Sequence, residues 1–413
     1  MTDLSTQHRP LENLTVLDLT TALAGPFATL MLAGLGARVI KVENPLAGDT
    51  CRTNAPYLGA SGGKPARESD DDVSISAINR LRNKLGITLN LKHPRAGEVF
   101  ADLVKQSDVL VENFSPGVLE RLGAGYEAAR ALNPRLVYCS ITGFGSDGEG
   151  KAMDAIIQAL SGVMLTAGNP EEPPVRIGVP FADLIAPLFG VIGVLAALHQ
   201  VERTGQGQHV DVSMLGAMTS LVAAEHFDLL AKLGVPLRTG KTAARLAPFG
   251  IYQALDGYVA ICAPMDGFAH KLFQAMERPD LIADERFKTR DQRVKHGQAV
   301  DALVEDWTRA QPVAEVLRRL EAADVPAAEV RDPQQAVRDP RVIARRETVL
   351  LEHPQYGAVE EVYGTGMPIR FSDAAVGFDR PAPRTGEHND LVYREMLGYS
   401  EARFEELRAL GVL

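Results

Sequence analysis

Short apolar runs alternate with helically spaced apolar positions through the first half of the chain. Leu14–Leu19 (LTVLDL) reads as a strand, 25–36 as a helix with Phe27, Leu30, Met31, Leu32 and Leu35 on its spacing, and Arg38–Glu43 (RVIKVE) as a strand. The alternation continues with strands over 87–91, 109–112, 135–142 and 208–214 and a helix over 94–106. Segments 155–165 and 184–198 also read as helices. Repeated β–α alternation of this kind predicts an α/β fold with a doubly wound parallel sheet.

The pattern changes twice. Residues 48–73 are rich in Gly, Ser, Pro and charge and read as a long exposed loop or disordered excursion. Around 236–248 an Arg-, Gly- and Thr-rich stretch reads as a hinge, followed by a hairpin signal at Asp256-Gly257 between 250–255 and 258–262. Helices follow, one around Trp307, and a last amphipathic helix starts at Ser400. The expected division is a large domain over 1–235, a smaller α+β domain over 236–330, and a segment over 331–413 returning to the large domain.

The run from Leu184 to Leu198 is nearly uncharged, shorter than the ~20 residues a bilayer requires, and interrupted by Pro187, Gly190 and Gly193, so it reads as a buried helix rather than a membrane span. Asp183 stands directly before it as a lone carboxylate. One reading makes Asp183 the N-cap of a helix starting at Leu184, with Pro187 in its first turn. The other makes it a nucleophile or base at the mouth of a dry pocket, already ionised at neutral pH. The local residues leave both open.

Composition narrows the classes. A 413-residue chain exceeds what one core usually fills, and 46% hydrophobic residues supply material for two. A net charge of -10 without runs argues against nucleic acid. Cys51, Cys139 and Cys262 have no metal-like spacing and suit neither a disulfide framework nor a zinc site. The first ten residues carry no signal-peptide pattern, so a cytoplasmic enzyme is expected.

The chemistry points to an anion. Residues 79–86 (NRLRNKLG) pack three cations into an acidic chain. The turns Thr20–Pro26, Asn113–Gly117 and Gly143–Gly145 each follow a strand, where open α/β sheets bind ligands. No G-x-G-x-x-G follows the first strand, which argues against a dinucleotide.

Taken in order, LTVLDL with Ala24-Gly25-Pro26, then 36–43 (GARVIKVE), Asn83-Lys84, 108–114 (DVLVENF) and Gly178–Asp183 resemble the family III CoA-transferases of the formyl-CoA:oxalate and carnitine type, over essentially the whole chain. The resemblance implies a Rossmann-like large domain built from both chain ends, an inserted small domain and an intertwined homodimer of two linked rings. It puts the catalytic aspartate at Asp183. It puts CoA contacts at Asn83, Lys84, Asn113, Phe114 and Arg121, with Leu23, Ala24, Gly143 and Phe144 lining the same cleft. Asn44 stands where the formyl-CoA enzyme has an arginine, and Leu23 where it has a glutamine, which argues against oxalate.

The implied reaction runs through an acyl-aspartyl anhydride and an aspartyl-CoA thioester, with the CoA thioester as substrate and no permanently bound cofactor or metal. Succinyl-CoA as donor and a short dicarboxylic acid as acceptor are expected, with Arg176 or Arg245 as candidates to hold the acid. Two rivals share the features. A 2-methylacyl-CoA racemase carries a histidine just before the position of Asp154, where this chain has Met153, and it needs two acid/base groups where only Asp183 is evident. A non-catalytic CoA-binding protein is the other.

Overall fold

The computed structural model describes residues 8–413, the side chain of residue 360 excepted. The described residues divide into two compact units: 8–161, 178–220 and 337–413 form one, and 162–177 and 221–336 form the other. The second unit thus takes in 162–177 and starts at 221, where the sequence pattern placed the change at 236.

The first unit is built on a six-stranded parallel sheet. Its strands are β1 (Thr15–Asp18), β2 (Arg38–Glu43), β3 (Lys84–Thr88), β4 (Val109–Glu112), β5 (Val137–Thr142) and β6 (His209–Ser213). Their order is β3-β2-β1-β4-β5-β6, and every neighbouring pair is parallel. This 3-2-1-4-5-6 order reverses between β1 and β4, which puts a crevice outside their carboxyl ends. β1, β3, β4 and β5 are buried at every position because helices cover both faces.

Those helices are α1 (Ala24–Gly34), α2 (Ile75–Arg80), α3 (Ala96–Lys105), α4 (Val118–Arg121), α5 (Tyr126–Leu132), α6 (Asp154–Leu160) and α7 (Phe181–Thr204). On one face Val99, Phe100 and Leu103 of α3 join Leu17, Ile40, Ile87 and Leu110 of the sheet, together with Val392, Phe404, Leu407 and Leu413 from the chain's end. That end docks through backbone as well: Asn90 donates to the Val412 carbonyl at 2.7 Å, and Tyr393 Oη to the Thr88 carbonyl at 2.7 Å.

Three expectations change here. Residues 48–73 are ordered: a 3-10 turn (Thr50–Thr53) leads into a small antiparallel sheet of Tyr57–Gly59, Gly62–Lys64 and Val73–Ser74. Leu58 packs there with Ile78, Leu351 and Val359, so a polar composition hides one anchored apolar stripe. The strand expected over 87–91 begins at Lys84, which brings the basic patch into the sheet.

The third change concerns α7. It extends beyond the run read at 184–198 to 24 residues, and by length and composition alone it is apolar enough to cross a membrane. It is also not wholly buried. Ala186, Gly190, Val194, Ala197 and Val201 face the sheet, close enough that a Cβ on Gly190 would meet Ile141 at 3.2 Å and one on Gly193 would meet Val210 at 2.5 Å. The opposite side exposes Leu188, Phe189, Ile192 (62%) and Leu195.

The second unit holds a four-stranded antiparallel sheet of Thr242–Ala243, Leu246–Gln253, Tyr258–Cys262 and Ala327–Glu329. Its hairpin closes at Asp256-Gly257, with Ala254 donating to the Gly257 carbonyl. A separate core forms around Tyr252, Ile261, Phe273, Phe287 and Val304.

Candidate active site

The turn after β1 is pinned at every backbone group. Thr20 N–H donates to Asp18 Oδ1 (2.9 Å), Thr21 N–H to Asn113 Oδ1 (2.8 Å) and Ala22 N–H to Asp49 Oδ1 (2.9 Å). The three carbonyls accept in turn from Lys41 Nζ, Asn113 Nδ2 (2.9 Å) and Arg80 Nη1 (3.0 Å). This network holds Ala22 in the left-handed region (φ 68°), which a residue with a Cβ adopts only when its surroundings impose it. Leu23, half-buried, and Ala24, buried, then open α1 at the carboxyl edge of the sheet.

Below the turn lies a buried ionic cluster. Lys84 Nζ bonds Asp18 Oδ2 (3.0 Å), Thr29 Oγ1 (2.7 Å) and the Pro26 carbonyl (3.0 Å), and Lys41 Nζ pairs with Asp49 Oδ2 at 2.9 Å. All four charged residues are 0–1% exposed. Burial works against the charge on Asp18, but Lys41 and Lys84 outweigh it and hold its carboxyl below the usual range. Lys84 is itself pushed down by burial despite Asp18.

The expectation that Lys84 meets a CoA phosphate is corrected by this geometry: its ammonium spends its three donors inside the sheet. Asn83 is also displaced from the expected cleft. It precedes β3, so it sits at the amino edge, opposite the strand ends. There its left-handed backbone (φ 60°) and Oδ1 clamp the N–H groups of Asp379 and Arg380 at 2.8 Å each.

The other expected residues do gather at carboxyl ends. Asn113 and Phe114 follow β4, with Phe114 N–H bonded to Glu112 Oε2 at 2.8 Å. Gly143 and Phe144 follow β5; a Cβ on Gly143 would lie 2.1 Å from that of Ala152, and the Phe144 ring lies against Gly150. Arg121 is exposed at the end of the one-turn α4. Arg245 is engaged by Glu225 at 2.8 and 2.7 Å in the second unit, which also contains Arg176. Among the described residues no cluster of His, Cys, Asp or Glu is arranged to hold a metal ion.

Asp183 is neither an N-cap nor a lone carboxylate. α7 begins at Phe181 with Pro180 before it, which places Asp183 in the first turn and Pro187 inside the helix. The capping carboxylate is Asp154: its Oδ1 accepts Ala182 N–H at 2.9 Å, and its Oδ2 accepts from the buried Gln158 at 2.8 Å. A second carboxylate near Asp183 therefore exists, contrary to the single acid/base group read from the sequence, and both its oxygens are committed. Because α7 leads into a parallel strand, its amino end lies at the carboxyl edge.

Burial, reinforced by Asp154 and opposed by Arg80, pushes the Asp183 carboxyl up to about 6. It is thus ionised at neutral pH but more basic than a surface aspartate. Arg80 was the residue missed. Among the described residues it makes one hydrogen bond, from Nη1 to the Ala22 carbonyl, and it is the cation that acts on Asp183. It lay in the basic patch without being singled out.

With that geometry, comparison with known proteins decides the family. The profile described as CoA-transferase family III matches residues 11–389. The chain belongs to CoA-transferase family III. It is a transferase, and it is 36% identical over 406 residues to a succinyl-CoA:mesaconate CoA-transferase of Haloarcula hispanica, covering 96% of this chain and 98% of that protein. It is 34% identical to a succinate–glutarate CoA-transferase of Agrobacterium fabrum over 402 residues, covering 96% and 98%. The crystal structure of a CAIB/BAIF family protein from Brucella suis superposes with a TM-score of 0.80 at 34% identity, covering 94% of this chain and all of that one. Membership agrees with the parallel sheet and with the resemblance read from the motifs.

Proposed function

We propose that this enzyme moves CoA from succinyl-CoA to a short dicarboxylic acid, with Asp183 as the nucleophile. The observation that carries the reading is the Asp183 carboxylate itself, at the amino end of a helix on the carboxyl edge of the sheet, raised to about 6 by burial and Asp154. A helix amino end favours negative charge, and a carboxylate of raised basicity that remains ionised is a better nucleophile than an ordinary one.

The Asp183 carboxylate attacks the thioester carbonyl, forming an anhydride and expelling CoA thiolate. The thiolate attacks the Asp183 carbonyl, leaving an aspartyl-CoA thioester and free succinate. The acceptor carboxylate repeats the sequence in reverse, ending as its CoA thioester with Asp183 restored. Every nucleophile and leaving group is an anion, so no proton moves and no paired base is required. Leu23, Ala24, Asn113, Phe114, Arg121, Gly143 and Phe144 are assigned to the CoA cleft. We assign Arg80, rather than Arg176 or Arg245, to the free carboxylate of the acid, because it acts on Asp183 and has donors to spare.

The enzyme is proposed to work as an interlocked homodimer. Exposed apolar side chains on α6 and α7, among them Ile156, Leu160, Leu188 and Ile192, support a second copy covering that side. The test is chemical trapping. Incubation with succinyl-CoA and hydroxylamine, without acceptor, is expected to place a hydroxamate on the Asp183 peptide, read by mass spectrometry. A hydroxamate elsewhere, or transfer at wild-type rate by Asp183→Asn, removes Asp183 from the reaction.

A further inference from the structure

Beneath the Asn113–Phe114 turn, three adjacent strands bring polar side chains together that the transfer reaction does not use. Glu112 ends β4 and pairs in register with Ser140 of β5, and His209 opens β6. Glu112 is 6% exposed and Ser140 2%. Glu112 Oε2 accepts the Phe114 N–H at 2.8 Å, and the Ser140 hydroxyl, opposite it in register, is a donor that favours the ionised carboxyl. Ser140 Oγ lies 2.9 Å from His209 Nε2, and the imidazole is stacked on Tyr126 at 4.9 Å and edge-on to Tyr138 at 5.5 Å.

A buried carboxyl stands here, and the chain it begins can hold its proton in two ways. With Glu112 ionised, Ser140 donates to it and His209 donates to Ser140. With Glu112 protonated, its O–H donates to Ser140, and Ser140 donates to Nε2 of the other neutral tautomer of His209, the ring exchanging its Nε2 proton for one on Nδ1 through solvent. Burial brings the Glu112 carboxyl up to about 7 against the Ser140 and Phe114 bonds, with Glu120 of α4 and Asp211 of β6 adding to the rise. Burial lowers His209, opposed by Asp211, Glu120, Asp147 and Glu127, so the imidazole is neutral when Glu112 titrates.

We propose that Glu112 is a positioning residue for CoA: ionised, it clamps the Phe114 backbone and fixes the Asn113–Phe114 turn; protonated, it loosens that clamp through Ser140 and His209. The clamp is stronger in the ionised form because a charge-assisted N–H···O bond is roughly twice as strong as a neutral one. CoA affinity accordingly rises with pH as the Glu112 proton leaves. The inference rests on the assignment of Phe114 to the CoA cleft.

Calorimetric titration with free CoA between about pH 6 and about pH 8 tests both layers, since the titration of CoA itself is common to every variant. Wild type is expected to gain roughly fivefold more affinity over that range than Glu112→Gln. Ser140→Ala removes a donor that holds the carboxyl down, so its affinity step moves to higher pH; this variant decides the matter if Glu112→Gln does not fold. Phe114→Ala is expected to weaken CoA binding at every pH. Wild-type affinity in Phe114→Ala overturns the cleft assignment and the inference with it. Weakened binding in Phe114→Ala, together with a wild-type pH profile in Glu112→Gln or an unmoved step in Ser140→Ala, overturns the inference alone.

Discussion

Asp154 caps the helix that carries Asp183, its Oδ1 taking the Ala182 N–H at 2.9 Å, so of the two neighbouring carboxylates it is Asp154, not Asp183, that holds the helix end. The arrangement also puts two negative groups close enough for Asp154 to raise the Asp183 carboxyl.

This gives a pH dependence with a definite sign. In the proposed reaction Asp183 acts as an anion, and burial and Asp154 raise its carboxyl to about 6, so kcat/KM is expected to fall as pH drops through about 6. Asp154→Asn leaves one oxygen to take the Ala182 N–H, gives up the bond from Gln158 and removes the like charge. The acid limb is then expected to move to lower pH, by up to roughly one unit. A pH–rate profile of Asp154→Asn that superposes on wild type would separate Asp154 from the titration of Asp183.

Arg80 acts in the opposite sense. Arg80→Met removes the cation that holds the Asp183 carboxyl down, so the acid limb is expected to shift to higher pH. Ala22 also loses the donor to its carbonyl. The KM for dicarboxylic acceptors is expected to rise by roughly tenfold, about 1.4 kcal/mol, and that for monocarboxylic acids to change little. Equal effects on both acid classes would leave Arg80 with its turn-holding role only.

Lys84 is expected to matter for folding. Lys84→Met strands the Asp18 carboxylate at 0% exposure with Lys41 Nζ 3.8 Å away, and breaking a buried pair in this way typically costs about 3–5 kcal/mol. Urea unfolding should show that loss, while the salt dependence of CoA binding by the folded enzyme stays at its wild-type slope. A stable Lys84→Met protein with a shallower slope would return Lys84 to the phosphate.

The legible part of this fold was the part carried by periodicity. The apolar runs of β1, β2 and β4 and the amphipathic spacing of α3 are local signals, and each fell within about two residues of the structure. Asp183 was visible as a carboxylate before an apolar run. The cap of its helix was not, because Asp154 lies 28 residues before Ala182 and reads locally as a helix residue. Lys84 and Asn83 were drawn to an anion by composition, yet successive residues point to opposite faces, so Lys84 turns into the buried cluster while Asn83, just before β3, binds the chain at the amino edge. A usable clue was present in Asp18 and Lys41, charged residues inside otherwise apolar strands. Such residues are almost never fully buried unless paired, so together they announce an internal ion pair.

The turn at Thr20–Ala22 has a consequence for how the enzyme meets its substrate. The N–H groups of those residues are already satisfied by Asp18, Asn113 and Asp49, so a thioester arriving in the proposed cleft cannot recruit them and need not immobilise them. The entropy of shaping that wall is settled when the chain folds rather than when the ligand binds, at roughly 1–2 kcal/mol per residue. Drift at a distant partner such as Asp49 would then be felt in the turn as lost rigidity, with every residue that faces the ligand unchanged.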